Sequence, residues 1–535
     1  MKTSMIRLCP IVCCLTASLY LSAPKVRAEL PVQIGQNFTG STFGVDSGAV
    51  PADVDGAVGP AHFVELINGR FSVYDKTNGH RVQTKTDRAF WQAAGLTIPS
   101  TLEVTDPRIL FDILSQRWFA SAVDVDPNNV ISNRFLIAVS ASADATKSWS
   151  GFATMADPVN GNFADFPTLG VDANGVYLGG NMFDESGNGL GSTLVAIPKT
   201  SLLGSPPSIA GLTSLGILSH EEQGEILQPV VSLDQTQGDE PVLAVSNVGA
   251  DFQPHSTLIA SIVGNVTNSA SATISSATTI SVPCYTVPIN PVQPSGLDNL
   301  DDGDARLSAM VYRVRDILYA VHAVEVNKRA AIQWFKISAA DFTVVQTGTI
   351  THTNLNLFYP SIAANQAGTV VIGCNGCSRQ KYVSSYAVVG EMVNGLLIFR
   401  YPLLLKSGLF SYVNRDAAGS SRWGDYSATS VDPMDSNRFW TIQMFPSKRS
   451  AWSTQITEII TGQLGQPVLA VAMTDSNVQI SWPSTAAGYE LQFASSLSST
   501  SAWTSITQTP VLNNGQFTVS LPASDEEGFF RLAKP

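Results

Sequence analysis

The chain has 535 residues, of which 44 % are hydrophobic and 14 % charged, with 41 glycines and 29 prolines. So few charges, against about 25 % in ordinary soluble proteins, exclude long charged helices, and so much apolar content excludes disorder of the whole chain. The formal net charge of −12 argues against nucleic acid or anionic membrane as a partner recognised by general electrostatics.

Taken in chain order, residues 1–28 come first. Lys2 and Arg7 lead into an apolar stretch over residues 8–23, and Val26-Arg27-Ala28 forms a small-x-small site before Glu29. That is the pattern of a secretory signal peptide. Its removal leaves 27 basic and 43 acidic side chains, a net charge of −16. It also removes three of the six cysteines and leaves Cys284, Cys374 and Cys377, too few for a disulfide framework. Cys374 and Cys377 fit either a disulfide or two buried thiols in a strand and turn. A structural zinc site needs about four ligands, and no second CxxC or nearby His cluster supplies them. No later segment has 18 uninterrupted apolar residues, so the expected protein is secreted or periplasmic, without membrane insertion, and a monomer.

Residues 29–50 form a lead-in segment that can supply a strand closing a ring. From Asp53 a pattern recurs: a polar or aromatic opening, an apolar strand, a turn and a second apolar strand. Asp106-Pro107-Arg108-Ile109-Leu110-Phe111-Asp112 followed by Arg117-Trp118-Phe119 is one copy. Openings stand at Asp53, Asp106, Asp165, Gln228, Asp304, Tyr359 and Gly424, between 53 and 76 residues apart. A small sheet cannot bury both faces alone, and radial stacking covers them. The expected fold is therefore all-β: a seven-bladed β-propeller over 51–463. After it, 466–535 holds six or seven short alternating strands, expected to form a small β-sandwich of fibronectin or immunoglobulin type.

The motifs carry a resemblance. Pro51-Ala52-Asp53-Val54-Asp55-Gly56, Asp165-Phe166-Pro167, Gln293-Pro294 followed by Asp304-Ala305-Arg306, and Ser421-Arg422-Trp423-Gly424-Asp425-Tyr426-Ser427 resemble stretches of exported bacterial β-propeller proteins. That group is sialidase-like in fold and has no settled activity. The similarity spans roughly residues 35–455, and Arg422 to Ser427 is its most specific piece. Ser142-Ala143-Asp144-Ala145-Thr146-Lys147-Ser148-Trp149 is close to the Asp-box hairpin of the sialidase-like class, with Thr146 where glycine is usual. The C-terminal 70 residues resemble small sandwiches at the ends of secreted bacterial proteins.

Propeller sites form where the openings converge. The expected catalytic residues are Asp165, Arg306, Arg422, Asp425 and Tyr359; Asp53, Asp55, Asp106, Trp423 and Tyr426 are expected to bind substrate. Arginine grips a carboxylate bidentately, Trp and Tyr stack on sugar rings, and paired carboxylates serve as acid and base or nucleophile. The expectation is a glycoside hydrolase or polysaccharide lyase acting on an anionic glycan; the alternative is a non-catalytic propeller that binds glycan or protein. A sialidase would need three arginines and a Tyr–Glu pair. Arg306 and Arg422 fit, Arg108 fits weakly, and no Glu stands at an opening, so sialidase activity is not expected. No cofactor is assigned. Asp53 with Asp55, residues 124–129, and Asp301-Asp302-Gly303-Asp304 offer oxygens for a structural calcium ion, none with EF-hand spacing. HExxH, GxSxG and P-loop motifs are lacking.

Overall fold

The computed structural model describes residues 31–535 apart from 129–130, 234–237, 249–252, 269, 295–298, 416–420, 462–468, 475–476, 484–488, 497–501, 514–515, 524–527 and 534–535. The expected signal peptide over 1–28 and the expected boundary at 463–466 lie outside the described residues. The protein is all-β; the longest helix among the described residues, Asp87–Ala93, has seven residues. No described helix is long and apolar enough to cross a membrane.

Between residues 32 and 461 the described strands form four sheets of four or five strands and one of thirteen, the last joining three antiparallel units through parallel pairs. The first strands of the antiparallel units are Asp55–Val58, Glu103–Asp112, Phe163–Val171, Glu225–Ser232, Val311–Val314, Asn356–Ala364 and Ala428–Val431. Each pairs with the next strand of its own unit, and each also packs against the first strand of the following unit; Ala428–Val431 returns to Asp55–Val58. Parallel pairing links three of these inner strands, Val171 to Val231 and Val230 to Val311. Burial explains the order. First and second strands carry runs that are apolar on both faces, and the runs Ile109-Leu110-Phe111 and Trp118-Phe119-Ala120 are buried. Outer strands such as Arg81–Lys85 are polar and exposed.

The last unit takes its outer strand from the start of the chain. Val32–Thr42 pairs with Ala451–Thr461 along its length. Between neighbouring units lie apolar layers; Phe71, Trp118 and Leu136 pack there with Phe90 and Trp91 of the short helix. That helix begins where the Thr86 side chain accepts from the Ala89 amide. Cys374 and Cys377 are two buried thiols on the strand Val370–Ser378, not a disulfide. Beyond residue 468, a four-stranded and a three-stranded sheet share a core of Ile480, Trp482, Leu491 and Val519.

The stretch 142–149 is a turn between Arg134–Ser140 and Trp149–Met155. Asp144 Oδ1 accepts from the Thr146 amide at 3.0 Å and its hydroxyl at 2.7 Å, and the Trp149 indole lies beneath, donating to the Ala145 carbonyl.

Candidate functional site

The leading ends of the first strands share a strained backbone. Asp53, Asp106, Phe166, Ile226 and Tyr359 have φ of 44°, 55°, 52°, 57° and 45°. Left-handed conformations at non-glycine residues each cost about 1–3 kcal/mol and concentrate at functional sites. At four of the five the inner strand also bulges: pairing shifts register between Thr105 and Arg108, Asp165 and Thr168, Glu225 and Gln228, and Phe358 and Ser361.

Two adjoining cavities open at this end of the ring. One, of 290 Å³, is lined by Asp165, Asp302, Arg306, Tyr359, Arg422 and Asp425 among others. The second, of 640 Å³, shares Asp165, Arg422 and Asp425 and adds Asp53 and Asp106. Seven of the ten residues expected at the site thus meet in one cleft.

Asn68 organises its floor. Its amide donates to Asp53 Oδ2 at 2.7 Å, and its carbonyl oxygen accepts from the Asp106 amide at 2.9 Å. Asp53 Oδ1 accepts from the Asp425 amide at 3.1 Å. Burial, then the charges of Asp425 and Asp106, push the Asp53 carboxyl well above the usual carboxylate range. Burial, then Asp165 and Asp425, push Asp106 up to about 7. Asp165 is exposed to the cleft although protein surrounds most of its carboxylate; burial raises it while Arg306 opposes the rise. Tyr359 is buried with no partner for its hydroxyl among the described residues.

Both arginines are already engaged. Arg306 binds Asp304 through Nη2 at 2.5 Å and Nε at 2.8 Å, and its guanidinium lies 4.2 Å over the Phe166 ring. Arg422 bridges Asp301 at 2.5 Å and Asp425 at 2.8 Å. The cleft therefore carries an excess of acid, contrary to the anionic substrate the sequence suggested.

Three expected binding residues do not reach the cleft. Asp55 is 1 % exposed and lies deeper in the ring, 3.7 Å from the buried Arg108. Trp423 is fully buried; its indole donates to Asn375 Oδ1 at 2.9 Å and meets Tyr412 edge-on. Tyr426 is buried with its ring 3.4 Å from the Arg108 guanidinium and its hydroxyl on the Pro107 carbonyl. Large flat rings next to turn glycine read as sugar platforms in sequence, yet burying them is worth more than exposing them. Conversely, sequence reasoning missed Asn68, and it offered Asp301 only as a calcium ligand, whereas its partner is Arg422, 121 residues away. Among the described residues no group of three or more His, Cys, Asp or Glu could hold a metal ion. Of the expected calcium segments, Asp124 instead binds Arg134.

No family model matches the chain, and no curated protein matches it. Solved structures do resemble it loosely. One is a protein of unknown function from Dyadobacter fermentans, 10 % identical with a TM-score of 0.29, covering 68 % of this chain and 97 % of that one. The Hadza microbial sialidase Hz136 is 10 % identical with a TM-score of 0.35, over 76 % of this chain and 65 % of that one. An endo-arabinase from Bacteroides thetaiotaomicron is 11 % identical with a TM-score of 0.29, over 72 % and 97 %. Likeness at this level carries no argument about activity.

Proposed function

We propose that the chain is an exported, carbohydrate-active seven-bladed β-propeller with a C-terminal sandwich, and that its mouth cleft hydrolyses a glycosidic bond. The cyclic packing of the seven inner strands and the closing strand Val32–Thr42 support the propeller reading. One observation carries the chemistry: Asp106, raised to about 7, senses Asp165 across a shared cavity. Two carboxyl groups in unequal environments divide into acid and base. Asp106 gives its proton to the leaving oxygen. Asp165 takes a proton from the water whose oxygen joins the anomeric carbon. The strained backbone at Asp106 fixes the acid in place.

Elimination from a uronic acid is the weaker reading, because it needs a free arginine against the substrate carboxylate and Asp301, Asp304 and Asp425 already hold both. A binding-only role is favoured by the burial of Trp423, Tyr426 and Phe166, which leaves none of these three rings exposed to stack on a sugar. A polysaccharide screen for new reducing ends separates these. Hydrolysis by the wild type, reduced about 10²–10⁴-fold in Asp106→Asn, is expected of a lost general acid. Unsaturated products would mark a lyase, and retained binding without cleavage a binding protein.

A further inference from the structure

The charge of the cleft is unbalanced. Five carboxylates and two guanidiniums line the 290 Å³ cavity. The adjoining 640 Å³ cavity adds four carboxylates and Arg88. Arg88 is spent on backbone, donating to the carbonyls of Ile98 at 3.1 Å and Pro99 at 2.9 Å and to that of Leu102. A second observation is independent of the acid count. Asp302 is 1 % exposed and lines the smaller cavity, yet neither of its oxygens has a hydrogen-bond partner among the described residues. The Tyr359 hydroxyl on the same wall, in a residue 4 % exposed, is likewise unpartnered. Buried acceptors without donors are costly unless a ligand supplies the donor.

We propose that the cleft recognises its substrate through a primary ammonium group, so that the glycan it takes is rich in unacetylated amino sugar. This rests on the carbohydrate reading above and names its substrate class. An ammonium brings three donors and one positive charge. It reaches the Asp302 oxygens and the Tyr359 hydroxyl and offsets the surplus acid. Among the described residues no chelating set of three acidic or imidazole groups is gathered, and the diffuse field suits an organic cation better than a metal ion. In the empty cleft protons take the cation's place: burial and the neighbouring Asp301 hold the Asp302 carboxyl well above its ordinary range, and Asp106 sits at about 7. Cation binding lowers both and releases protons.

The test uses the full chain and isothermal calorimetry at pH 7 in two buffers of different ionisation heat. Four ligands are compared: a glucosamine tetramer, the same tetramer N-acetylated, an oligogalacturonate, and spermidine. The glucosamine tetramer is expected to bind about tenfold or more tighter than its acetylated form, with proton release. That preference should fall to threefold or less in Asp302→Asn, and Tyr359→Phe, which keeps the ring, should weaken it in the same direction. Equal binding of the two tetramers, or tighter binding of oligogalacturonate, overturns the ammonium assignment and leaves the carbohydrate reading standing. Binding of spermidine with no sugar bound upholds the ammonium and overturns the glycan. A preference for the amine that persists unchanged in both variants, each checked by thermal melting, overturns the assigned subsite.

Discussion

Arg108 shows what a residue at the centre of a ring must do. Its Nε donates to the Pro167 carbonyl at 3.0 Å and its Nη1 to the Ser308 carbonyl at 3.0 Å, while Asp55 and the Tyr426 ring flank it. One buried cation thus contacts chain segments up to 318 residues from its own position. Arg108→Met is expected to cost about 3–5 kcal/mol, because Asp55 then loses the partner of a buried pair. Adding Asp55→Asn should return part of that loss, measured by urea unfolding; a double variant no better than the single one counts against the pairing. Asp106 behaves oppositely. Its carboxyl rises from 3.8 unfolded to about 7 folded. Below about pH 4 both states hold the proton. As pH climbs to 7 the unfolded chain ionises first, so folding is increasingly penalised, and the penalty is complete above about pH 7. Asp106→Asn should therefore raise the melting temperature at pH 8 and leave it nearly unchanged at pH 4. Stability gained where activity is lost is the mark of a functional carboxylate. A lower melting temperature at both pH values would identify Asp106 as a structural pin instead.

Among the elements, the strand Val32–Thr42 depends most on distant sequence. Glu65, fully buried, accepts from the Ser41 hydroxyl at 2.7 Å, the Tyr74 hydroxyl at 2.8 Å and the Thr454 hydroxyl at 2.5 Å. Gly40 passes so close that an added Cβ would stand 2.5 Å from Thr454 Oγ1 and 2.8 Å from Glu65 Oε1. Those atoms are locked by their hydrogen bonds and cannot yield. Gly40→Val should destabilise by about 1–3 kcal/mol through overpacking and expose the edge of Ala451–Thr461. Limited proteolysis should then cut within 32–42 before the rest of the chain; an unchanged pattern would show that this strand does not close the sheet. The sequence made the strands legible because inner strands are continuous apolar runs bounded by turns. The openings read at 53, 106, 165 and 359 fall on or beside the leading ends of inner strands. The fifth was displaced: its strand is the short Val311–Val314, and Asp304 to Met310 runs ahead of it. Partners such as Glu65 with Thr454 stayed hidden, since no local pattern encodes a contact across 389 residues. The left-handed openings left a trace, the recurring X-Pro in Asp106-Pro107, Phe166-Pro167 and Tyr359-Pro360. Ordinary preferences put the residue before proline in extended backbone, so the bulge was beyond reach.

For the whole molecule, the balance of carboxylates sets a pH of greatest stability. Desolvation raises Asp53, Asp55, Asp106 and Asp302. Each penalises folding as pH rises toward and past neutrality. A second set is lowered. Around Asp75, Asp144 and Asp157 desolvation raises the carboxyl, but hydrogen bonds within their turns, from Thr77, from Thr146, and from Val159 and Asn160, together outweigh it. Their contribution is present above about pH 4 and is lost as pH falls through their folded values. The two sets bracket an optimum at mildly acidic pH, below neutrality and above the ordinary carboxylate range. Melting temperatures from pH 3 to 9 should pass through a maximum near pH 5. A cation held in the cleft would lift the alkaline limb alone, because Asp53, Asp106 and Asp302 of the raised set line it and none of the lowered set does. A maximum at or above pH 8 in the absence of any cation would mean that the cleft carboxylates ionise freely on folding, and the acid assigned to Asp106 would lose its proton before it could act.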